Sequence, residues 1–237
     1  MIELTGQVLE GIFLRRYKRF FADVRLADGE EIVAHTPNTG SMKGLCDEGN
    51  PCLVTYQPSP TRKLHYTLQA IKVKNAWVGC NTGLPNPLVA FAIQNKQIPQ
   101  LTGYQKIRRE VPYGPDNRSR IDLLLTEHDD GKPDVFVEVK NVTLKEGELA
   151  LFPDAVTSRG KKHLFELINE VKAGHRAFMI FLVQREDCTG FAAAAAIDPE
   201  YAKALILARD AGVELLCLTA RIDKTGIKIV GVLPIGV

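Results

Sequence analysis

The stretch that decides the fold is RSRIDLLLTEHDDGKPDVFVEVKNVTL, residues 118–144. It holds two apolar runs, at 121–125 and 134–140, separated by a segment rich in the turn residues Asp, Gly and Pro. Each run predicts a β-strand, and the short connection predicts that the two strands form a hairpin. Side chains two positions apart in a strand lie on the same face. Glu138 and Lys140 are therefore expected to share one face of the second strand.

The predicted hairpin would bring Asp122, on the first strand, near Glu138 and Lys140. Removing a lone carboxylate or ammonium from water is costly even after the protein relaxes. Two acids and a lysine at converging strand ends offset this cost most simply by holding a hard divalent cation. Carboxylate oxygens and a backbone carbonyl, here that of Val139, suit Mg²⁺ or Mn²⁺. We therefore expect Asp122, Glu138 and Lys140 to be catalytic residues, with the metal activating a water and the lysine stabilising the transition state.

The pattern D-x(15)-E-x-K on successive strands resembles the core of the PD-(D/E)xK nucleases. Ile121 stands where that motif has proline, at a position that is not a ligand. A Glu-x-Lys pair on a strand also has a plainer interpretation, a solvated ion pair on an exposed face. The aspartate at the right spacing, and the α/β pattern around it, favour the metal site.

The segments around the hairpin indicate a layered α/β domain. A helix is expected at 87–98, with Asn86 as its N-cap and Pro87 in its first turn. The remaining predicted elements are a strand at 106–113, a helix at 161–175, a strand at 176–184, a helix at 199–212, and strands at 213–222 and 226–235. Helix, three-stranded meander, helix and strand is also the element order of the PD-(D/E)xK core.

Residues 6–80 predict a separate all-β unit of five short strands. Such a unit is typical of a small barrel that binds oligonucleotides or oligosaccharides (an OB fold), with an SH3-like barrel as the alternative. The turn-rich segment NTGLPNP, 81–87, joins the two parts. The predicted domains are therefore 1–83, an OB-like barrel, and 84–237, a PD-(D/E)xK restriction-endonuclease-like domain.

The segment FLRRYKRFFADV, 13–24, interleaves cations with aromatic residues. OB barrels bind single strands by stacking bases on aromatic rings while cations follow the backbone. Alternation would place Tyr17 and Phe21 on one face and Phe20 on the other, and one of these aromatic sets would have to help fill the core. The residues expected to contact nucleic acid here are Arg15, Arg16, Tyr17, Lys18 and Arg19.

Further candidates flank the predicted metal site. Glu110 is a possible additional metal ligand, or else a strand-surface ion pair with Arg108 or Lys106. The start of the 161–175 helix is basic, and helix N-termini with cations suit phosphate. The residues expected to contact phosphate there are Arg159, Lys162 and His163. A packing or capping role for His163 is the alternative, and Asp154 is expected to cap a turn.

Composition limits the remaining classes of function. The chain has 237 residues, is 45% hydrophobic and carries a formal net charge of only +2, so any nucleic-acid binding must rest on local patches. The five cysteines are scattered without a CxxC pair, which indicates reduced thiols and argues against a zinc site. No apolar run is long enough for a membrane span, and the N-terminus lacks a signal-peptide pattern. A cytoplasmic protein that does not bind membranes is expected.

Taken together, five motifs closely resemble the sugar fermentation stimulation protein family, SfsA. They are RRYKRFFADV (15–24), HTPNTGSM (35–42), SRIDLLL (119–125), VEVKNVTL (137–144) and FPDAVTSRGKKHLFEL (152–167). The resemblance implies a DNA-binding protein with a proposed regulatory role in sugar (maltose) metabolism. It also implies an OB-like domain followed by a PD-(D/E)xK nuclease-like domain.

Two hypotheses about function follow. The first is metal-dependent hydrolysis of phosphodiester bonds in nucleic acid, most readily DNA, which the triad of Asp122, Glu138 and Lys140 favours. The second is a non-enzymatic DNA-binding regulator of sugar metabolism genes whose nuclease fold is a relic. The lack of a helix-turn-helix pattern argues against a sequence-specific repressor. A sugar-binding role for the barrel is a third alternative, and a homodimer is a further expectation, because nucleases that cut both strands often pair.

Overall fold

The computed structural model describes residues 1–114 and 118–236 and shows a mixed α/β chain with two packed units. The first unit consists of six strands: β1 (Gln7–Tyr17), β2 (Phe21–Leu26), β3 (Glu31–His35), β4 (Pro51–Tyr56), β5 (Tyr66–Val73) and β6 (Ala76–Gly79). The sequence predicted five. The sixth arises because the chain reverses after β5 at Lys74, which adopts a left-handed backbone conformation with φ of 54°.

The pairing of these strands confirms the OB barrel. β1 pairs with both β2 and β4, β2 pairs with β3, and β4 pairs with β5, all antiparallel. The barrel closes where β3 runs parallel to β5, with Ala34 opposite Tyr66 and His35 opposite Thr67. Its interior is filled by alternate apolar residues of the strands, including Phe13, which is fully buried.

The second unit is built on a six-stranded mixed sheet in the order β15-β14-β12-β9-β8-β7. Its strands are β7 (Tyr104–Tyr113), β8 (Ser119–His128), β9 (Val135–Val142), β12 (Arg176–Val183), β14 (Glu214–Asp223) and β15 (Gly226–Val232). β7, β8 and β9 form the predicted antiparallel meander, and β12 runs parallel to β9 and β14. This arrangement is the restriction-endonuclease-like fold that the sequence predicted.

Helices cover the two faces of this sheet. The helix α1 (Pro85–Gln94) packs with Val137 and Val139 of β9 in one apolar core. The helices α2 (Ser158–Lys172) and α3 (Pro199–Asp210) pack on the opposite face with Phe136 and Met179 in the other. The alternation of side chains along β9 is therefore what places Glu138 and Lys140 on the α2 side of the sheet.

A second, four-stranded sheet escaped the sequence analysis. It consists of β10 (Leu144–Glu146), β11 (Leu149–Phe152), β13 (Gly190–Ala193) and β16 (Ile235–Gly236). A short 3₁₀ helix lies elsewhere in the unit, at Pro99–Leu101. The strands of the small sheet have two to four residues each, too few for an alternating pattern to be visible. Two of its three strand pairings, β11 with β13 and β13 with β16, join segments that are distant in sequence, so only the tertiary structure reveals them.

The helix α1 begins two residues earlier than predicted. Leu84 occupies the N-cap position and makes no side-chain capping bond, while Asn86 lies within the first turn. The prediction that Asn86 caps the helix is therefore wrong. Its amide is used for a different contact, described below.

The two units contact each other directly. The backbone N–H of Gly79 in β6 donates to the carbonyl of Gln184, just after β12, at 2.8 Å. Asp154 accepts two hydrogen bonds from Ser41, one from the hydroxyl at 2.8 Å and one from the backbone N–H at 3.0 Å. Asp154 thus joins the barrel to the second unit instead of capping a local turn. The division at 1–83 and 84–237 stays a prediction.

Within the described ranges, none of the helices has the length and apolar character needed to cross a membrane.

Candidate active site

The candidate site lies where β8 and β9 diverge. Their ladder runs from Leu125 opposite Val135 to Leu123 opposite Val137. The next position in this register would set Asp122 opposite Glu138, on the same face. At this point the backbone hydrogen bonds between the two strands end. The backbone N–H of Val139 donates instead to Oδ2 of the Asp122 side chain, at 2.7 Å. The structure therefore brings together the two acids that the sequence proposed.

Glu138 is the most enclosed member of the site. It is only 3% exposed, and its Oε1 accepts from the Lys140 ammonium at 2.5 Å and pairs with Nδ1 of His163. Its Oε2 is buried and has no hydrogen-bond partner in the described part of the chain. A buried carboxylate oxygen without a donor is rare in proteins and calls for a ligand.

The electrostatics of the two acids differ. Burial, followed by repulsion from Glu138, raises the pKa of Asp122 to about 6, although the Val139 N–H opposes the rise. Burial would also raise the pKa of Glu138, but His163 and Lys140 together lower it below its ordinary value. Two carboxylates share one poorly solvated space, with a single ammonium and a histidine beside them. A divalent cation would relieve this repulsion, so the donor set fits such an ion.

Asn86 belongs to the site, although the sequence analysis assigned it to a cap. Its Nδ2 donates to Oδ1 of Asp122 at 2.7 Å, across from the Val139 contact. Both oxygens of Asp122 are thus held by protein donors. The only sequence signal for this role was an asparagine in the first turn of a helix, and that signal is equally typical of an N-cap.

His163 lies near the start of α2 and is 5% exposed. Besides its contact with Glu138, its Nε2 accepts from Nε of Arg159 at 3.4 Å. Its Nδ1 also lies 3.3 Å from Nζ of Lys140, so the ring contacts both the carboxylate and the ammonium of the site. Both nitrogens are occupied, so His163 holds Glu138 in place in this structure.

Lys162 is tied to a neighbouring polar cluster. Its Nζ donates to the hydroxyl of Ser119 at 2.9 Å and lies 3.3 Å from Oε1 of the buried Glu166. Glu166 also accepts from Ser119 at 2.6 Å and from Tyr113 at 3.3 Å. Glu166 could not be singled out from the sequence, because its spacing is that of an ordinary polar residue on an amphipathic helix. This cluster holds the start of β8, and hence Asp122, against α2.

Glu110 stands opposite Asp122 in the β7–β8 register, but its side chain is exposed. Its backbone lies in the left-handed region, with φ of 53°, an uncommon conformation for a residue within a strand. The described residues contain no group of three acidic, histidine or cysteine side chains close enough to hold a metal. The role of Glu110 as an additional ligand therefore stays a prediction.

The basic and aromatic segment of the barrel forms the β1–β2 hairpin. Lys18 and Arg19 occupy its turn with positive φ, so the alternation assumed for this segment breaks there. Tyr17 and Phe21 stack with ring centroids 5.4 Å apart, both half-buried, and Phe20 is exposed. The expectation that one of these aromatic sets fills the core is therefore wrong.

The basic side chains of this hairpin differ in how firmly other groups of the protein hold them. Arg15 lies over the Tyr17 ring and pairs with Asp23 at 2.7 Å. Arg16 donates to the carbonyls of Asn38 and Arg19 at 2.8 and 3.0 Å. Arg16 thus fixes the loop that follows β3, whereas Lys18 and Arg19 point into solvent.

Comparison with known proteins gives a consistent result. A family model described as the SfsA N-terminal OB domain matches residues 14–80, and one described as the sugar fermentation stimulation protein RE domain matches residues 83–226. The sugar fermentation stimulation protein homologs of Geotalea daltonii and Geotalea uraniireducens are 49% and 50% identical to this chain. The aligned regions cover 98% and 99% of both chains, respectively.

A solved structure shows the same architecture. The SfsA of Pyrococcus furiosus, determined in complex with Ca²⁺, is 30% identical and superposes with a TM-score of 0.88, covering 100% of this chain and 98% of that one. The family models and the full-length relatives agree with the OB barrel, the meander and the helices described above. The chain therefore belongs to the sugar fermentation stimulation protein family.

Proposed function

We propose that this chain binds DNA and hydrolyses phosphodiester bonds with the help of a divalent cation, Mg²⁺ or Mn²⁺. The observation that carries the proposal is the buried Oε2 of Glu138, which has no hydrogen-bond partner among the described residues and lies beside the carboxylate of Asp122. A protein that only binds a polyanion gains nothing from two acids facing it. The same two acids are useful if a cation lies between them and the phosphate.

The proposed ligands are Asp122 and Glu138, with the backbone carbonyl of Val139 and the side chain of Glu110 completing the set. The Ca²⁺ present in the Pyrococcus furiosus relative supports a site for a divalent ion in this fold. Oxygen donors suit both Ca²⁺ and Mg²⁺, but the smaller ion demands a more regular geometry. Calcium is therefore a suitable probe of cation binding to this site, even if the calcium-bound protein does not cleave DNA.

The protein groups have separate roles in this proposal. Lys140 lies at the edge of the site with its side chain 13% exposed, where its ammonium can orient a water or stabilise charge on a phosphate oxygen. His163 and Asn86 are positioning residues, because each holds one carboxylate by a hydrogen bond. A bound divalent ion would supply a water of lowered pKa and neutralise charge on the phosphate.

The proposed DNA contacts lie on both units. In the barrel they are Arg15, Tyr17, Lys18 and Arg19, with Arg16 contributing through the loop that it fixes. On α2 they are Arg159 and Lys162, whose side chains flank the buried His163. A homodimer and a cytoplasmic location remain expectations.

Cleavage assays test the proposal directly. The protein would be incubated with duplex DNA, single-stranded DNA and RNA, with Mn²⁺, with Mg²⁺ and with EDTA. We expect metal-dependent cleavage of at least one substrate, lost in Asp122→Asn and Lys140→Ala. Glu127→Gln, an exposed acid on the same strand as Asp122, is the matched control and should retain activity. Cleavage that persists in Asp122→Asn, or that EDTA leaves intact, would refute the proposal.

One observation favours the second candidate, a DNA-binding regulator without catalysis. Both oxygens of Asp122 are engaged by Asn86 and Val139, and Lys140 is bound to Glu138, so the polar groups largely satisfy one another. In that case DNA affinity would survive Asp122→Asn and Lys140→Ala unchanged. No cleavage would then be found with any metal or substrate.

A further inference from the structure

A cavity of about 200 Å³, here called the junction cavity, lies between the barrel and the second unit. It is lined by Asn38 and Gly40 of the loop after β3, by Thr82 before α1, by residues 141–144 at the end of β9, and by 151, 152 and 154 near the end of β11. One ordered water requires only about 10–15 Å³ of such space. The junction cavity therefore has room for a larger group.

The junction cavity is next to the candidate active site, on the same side of the sheet. β9 pairs with β12 without a break up to Val142, so Val142, which lines the cavity, shares a face with Lys140 and Glu138. Val142 and Phe152, a second lining residue, both belong to the apolar core on the α2 side. A strand rises roughly 3.3 Å per residue, so Val142 is only about 7 Å beyond Lys140 along β9. A single nucleotide is large enough to reach from one place to the other.

Two buried polar side chains of the lining lack a partner within the described part of the chain. Asn38 is 5% exposed, and its Oδ1 accepts the Gly40 N–H at 2.8 Å, but its Nδ2 forms no hydrogen bond there. Thr143 is 7% exposed, and its hydroxyl forms none with these residues either. Neither atom is sealed off by protein. Buried polar groups nearly always have a partner, so both atoms call for a ligand in the cavity.

Two further side chains add a donor and an acceptor to the lining. Oδ1 of Asn141 accepts from Nε2 of Gln184 at 2.7 Å, which orients the asparagine and leaves its Nδ2 without a partner among the described residues. Asp154 accepts from Ser41 through Oδ2 alone, so its Oδ1 is available to accept a hydrogen bond. The junction cavity therefore offers both donors and acceptors to a ligand.

The lining suits a neutral ring system and not a phosphate. Among the described residues, no lysine or arginine lines the cavity, and the carboxylate of Asp154 would repel an anion. Leu144, Leu151 and Phe152 supply apolar surface beside the polar groups. A nucleobase combines flat apolar faces with an edge of donors and acceptors, and proteins hold unstacked bases through both. The cavity is smaller than the roughly 300–1,000 Å³ pockets of drug-sized ligands, which matches a single base.

We propose that the junction cavity receives one unstacked nucleobase of the DNA whose phosphate lies at the Asp122–Glu138 site. This inference rests on the proposed function and adds to it a class of substrate, DNA with a base outside the helical stack. Such a base comes either from a single strand or from a mismatched position of a duplex. A fully paired duplex is a poorer substrate, because it must first lose a base pair.

The test compares DNA that has bases with DNA that lacks them. Fluorescence anisotropy in Ca²⁺ would measure the affinity for a labelled single strand and for a strand of the same length built of abasic sites, which carries the same phosphates. Asn38→Ala and Thr143→Val each remove one unpartnered polar group. Thr143→Val keeps the shape of the side chain and leaves the loop after β3 untouched. Asn50→Ala is the matched control, because Nδ2 of Asn50 donates to the Leu45 carbonyl at 3.3 Å and Asn50 does not line the cavity.

We expect the wild type and Asn50→Ala to bind the strand with bases at least about fivefold more tightly than the abasic strand. Asn38→Ala and Thr143→Val should each lower this ratio by about three- to tenfold, the effect of one lost hydrogen bond. A change in phosphate binding alone alters both affinities and leaves the ratio unchanged. Duplexes with and without one mismatch identify the source of the base. A mismatch preference that Asn38→Ala abolishes assigns it to the duplex, and its absence assigns the base to the single strand.

A lowered ratio in either variant supports the junction cavity as the base site. The ratio of Asn50→Ala in both variants, or equal wild-type affinity for the two strands, overturns this inference. Metal-dependent cleavage lost in Asp122→Asn would then still uphold the proposed function. A wild-type protein that binds no nucleic acid overturns both proposals.

Discussion

At the scale of single residues, Asp122 is the position where the requirements of stability and of the proposed chemistry conflict. Its carboxylate is partly buried beside a second carboxylate, and burial and this neighbour raise its pKa to about 6. In the unfolded chain the same group has an ordinary, lower pKa. The folded state therefore holds the proton more tightly, and the fold loses stability as the pH rises from the ordinary pKa of an aspartate to about 6, with the full penalty present above that pH.

This conflict predicts that Asp122→Asn stabilises the metal-free protein. The amide can still accept the Val139 N–H, and it carries no charge to desolvate. At roughly 1.4 kcal/mol per pKa unit, the gain at pH 8 is up to about 3 kcal/mol. It should shrink as the pH falls through 6, because Asp122 itself is then protonated. Urea denaturation in EDTA at pH 8 and pH 5 measures both values. An equal gain at the two pH values, or a loss at pH 8, would contradict this account.

At the scale of elements, the site residues that could be predicted from the sequence are those carried by one pair of neighbouring strands. Alternation along 134–140 placed Glu138 and Lys140 on one face, and the predicted hairpin brought Asp122 near them. Asn86 could not be found in this way, because its contact depends on how α1 packs across the sheet. The short strands β11, β13 and β16 were missed for a related reason, since they pair with distant segments that no local pattern indicates.

The packing of α1 on β8 predicts a positioning role for Asn86. Its amide donates to Asp122 at 2.7 Å and lowers the pKa of that carboxyl, so Asn86→Ala should raise the pKa further and weaken cation binding. A hydrogen bond to a charged group contributes about 1.5–3 kcal/mol, which corresponds to a roughly tenfold or greater loss of Ca²⁺ affinity. Titration calorimetry at pH 7 gives the value. Asn95→Ala, at the exposed end of the same helix, is the control and should bind Ca²⁺ normally. Unchanged or tighter binding in Asn86→Ala would show that the contact does not support the site.

At the scale of the whole molecule, the junction between barrel and sheet decides whether surfaces on the two units can act on one DNA molecule. The barrel contacts the second unit close to the site, because Gln184 follows β12 and its Nε2 donates to Oδ1 of Asn141, the residue after Lys140. Gln184 also accepts the Gly79 N–H through its carbonyl. Gln184 thus links the last barrel strand, through its backbone carbonyl, to the strand that carries Glu138 and Lys140, through its side chain.

This junction leaves no room for a side chain at Gly79. A Cβ added there would lie 2.2 Å from Oε1 of Gln184, so Gly79→Ala must displace the glutamine and loosen the contact between the units. We expect a loss of about 1–3 kcal/mol in unfolding free energy, the range typical of overpacking. We also expect weaker DNA binding, because the cations of the barrel hairpin and those of α2 no longer keep a fixed spacing. Gly236→Ala, whose added Cβ would meet only a backbone oxygen at 3.7 Å, is the control.

Urea unfolding measures the stability of Gly79→Ala, and fluorescence anisotropy with duplex DNA measures its binding separately. If Gly79→Ala loses stability but binds DNA as Gly236→Ala does, the barrel and the sheet do not act together on one DNA molecule, and the contacts assigned to the barrel hairpin must be abandoned.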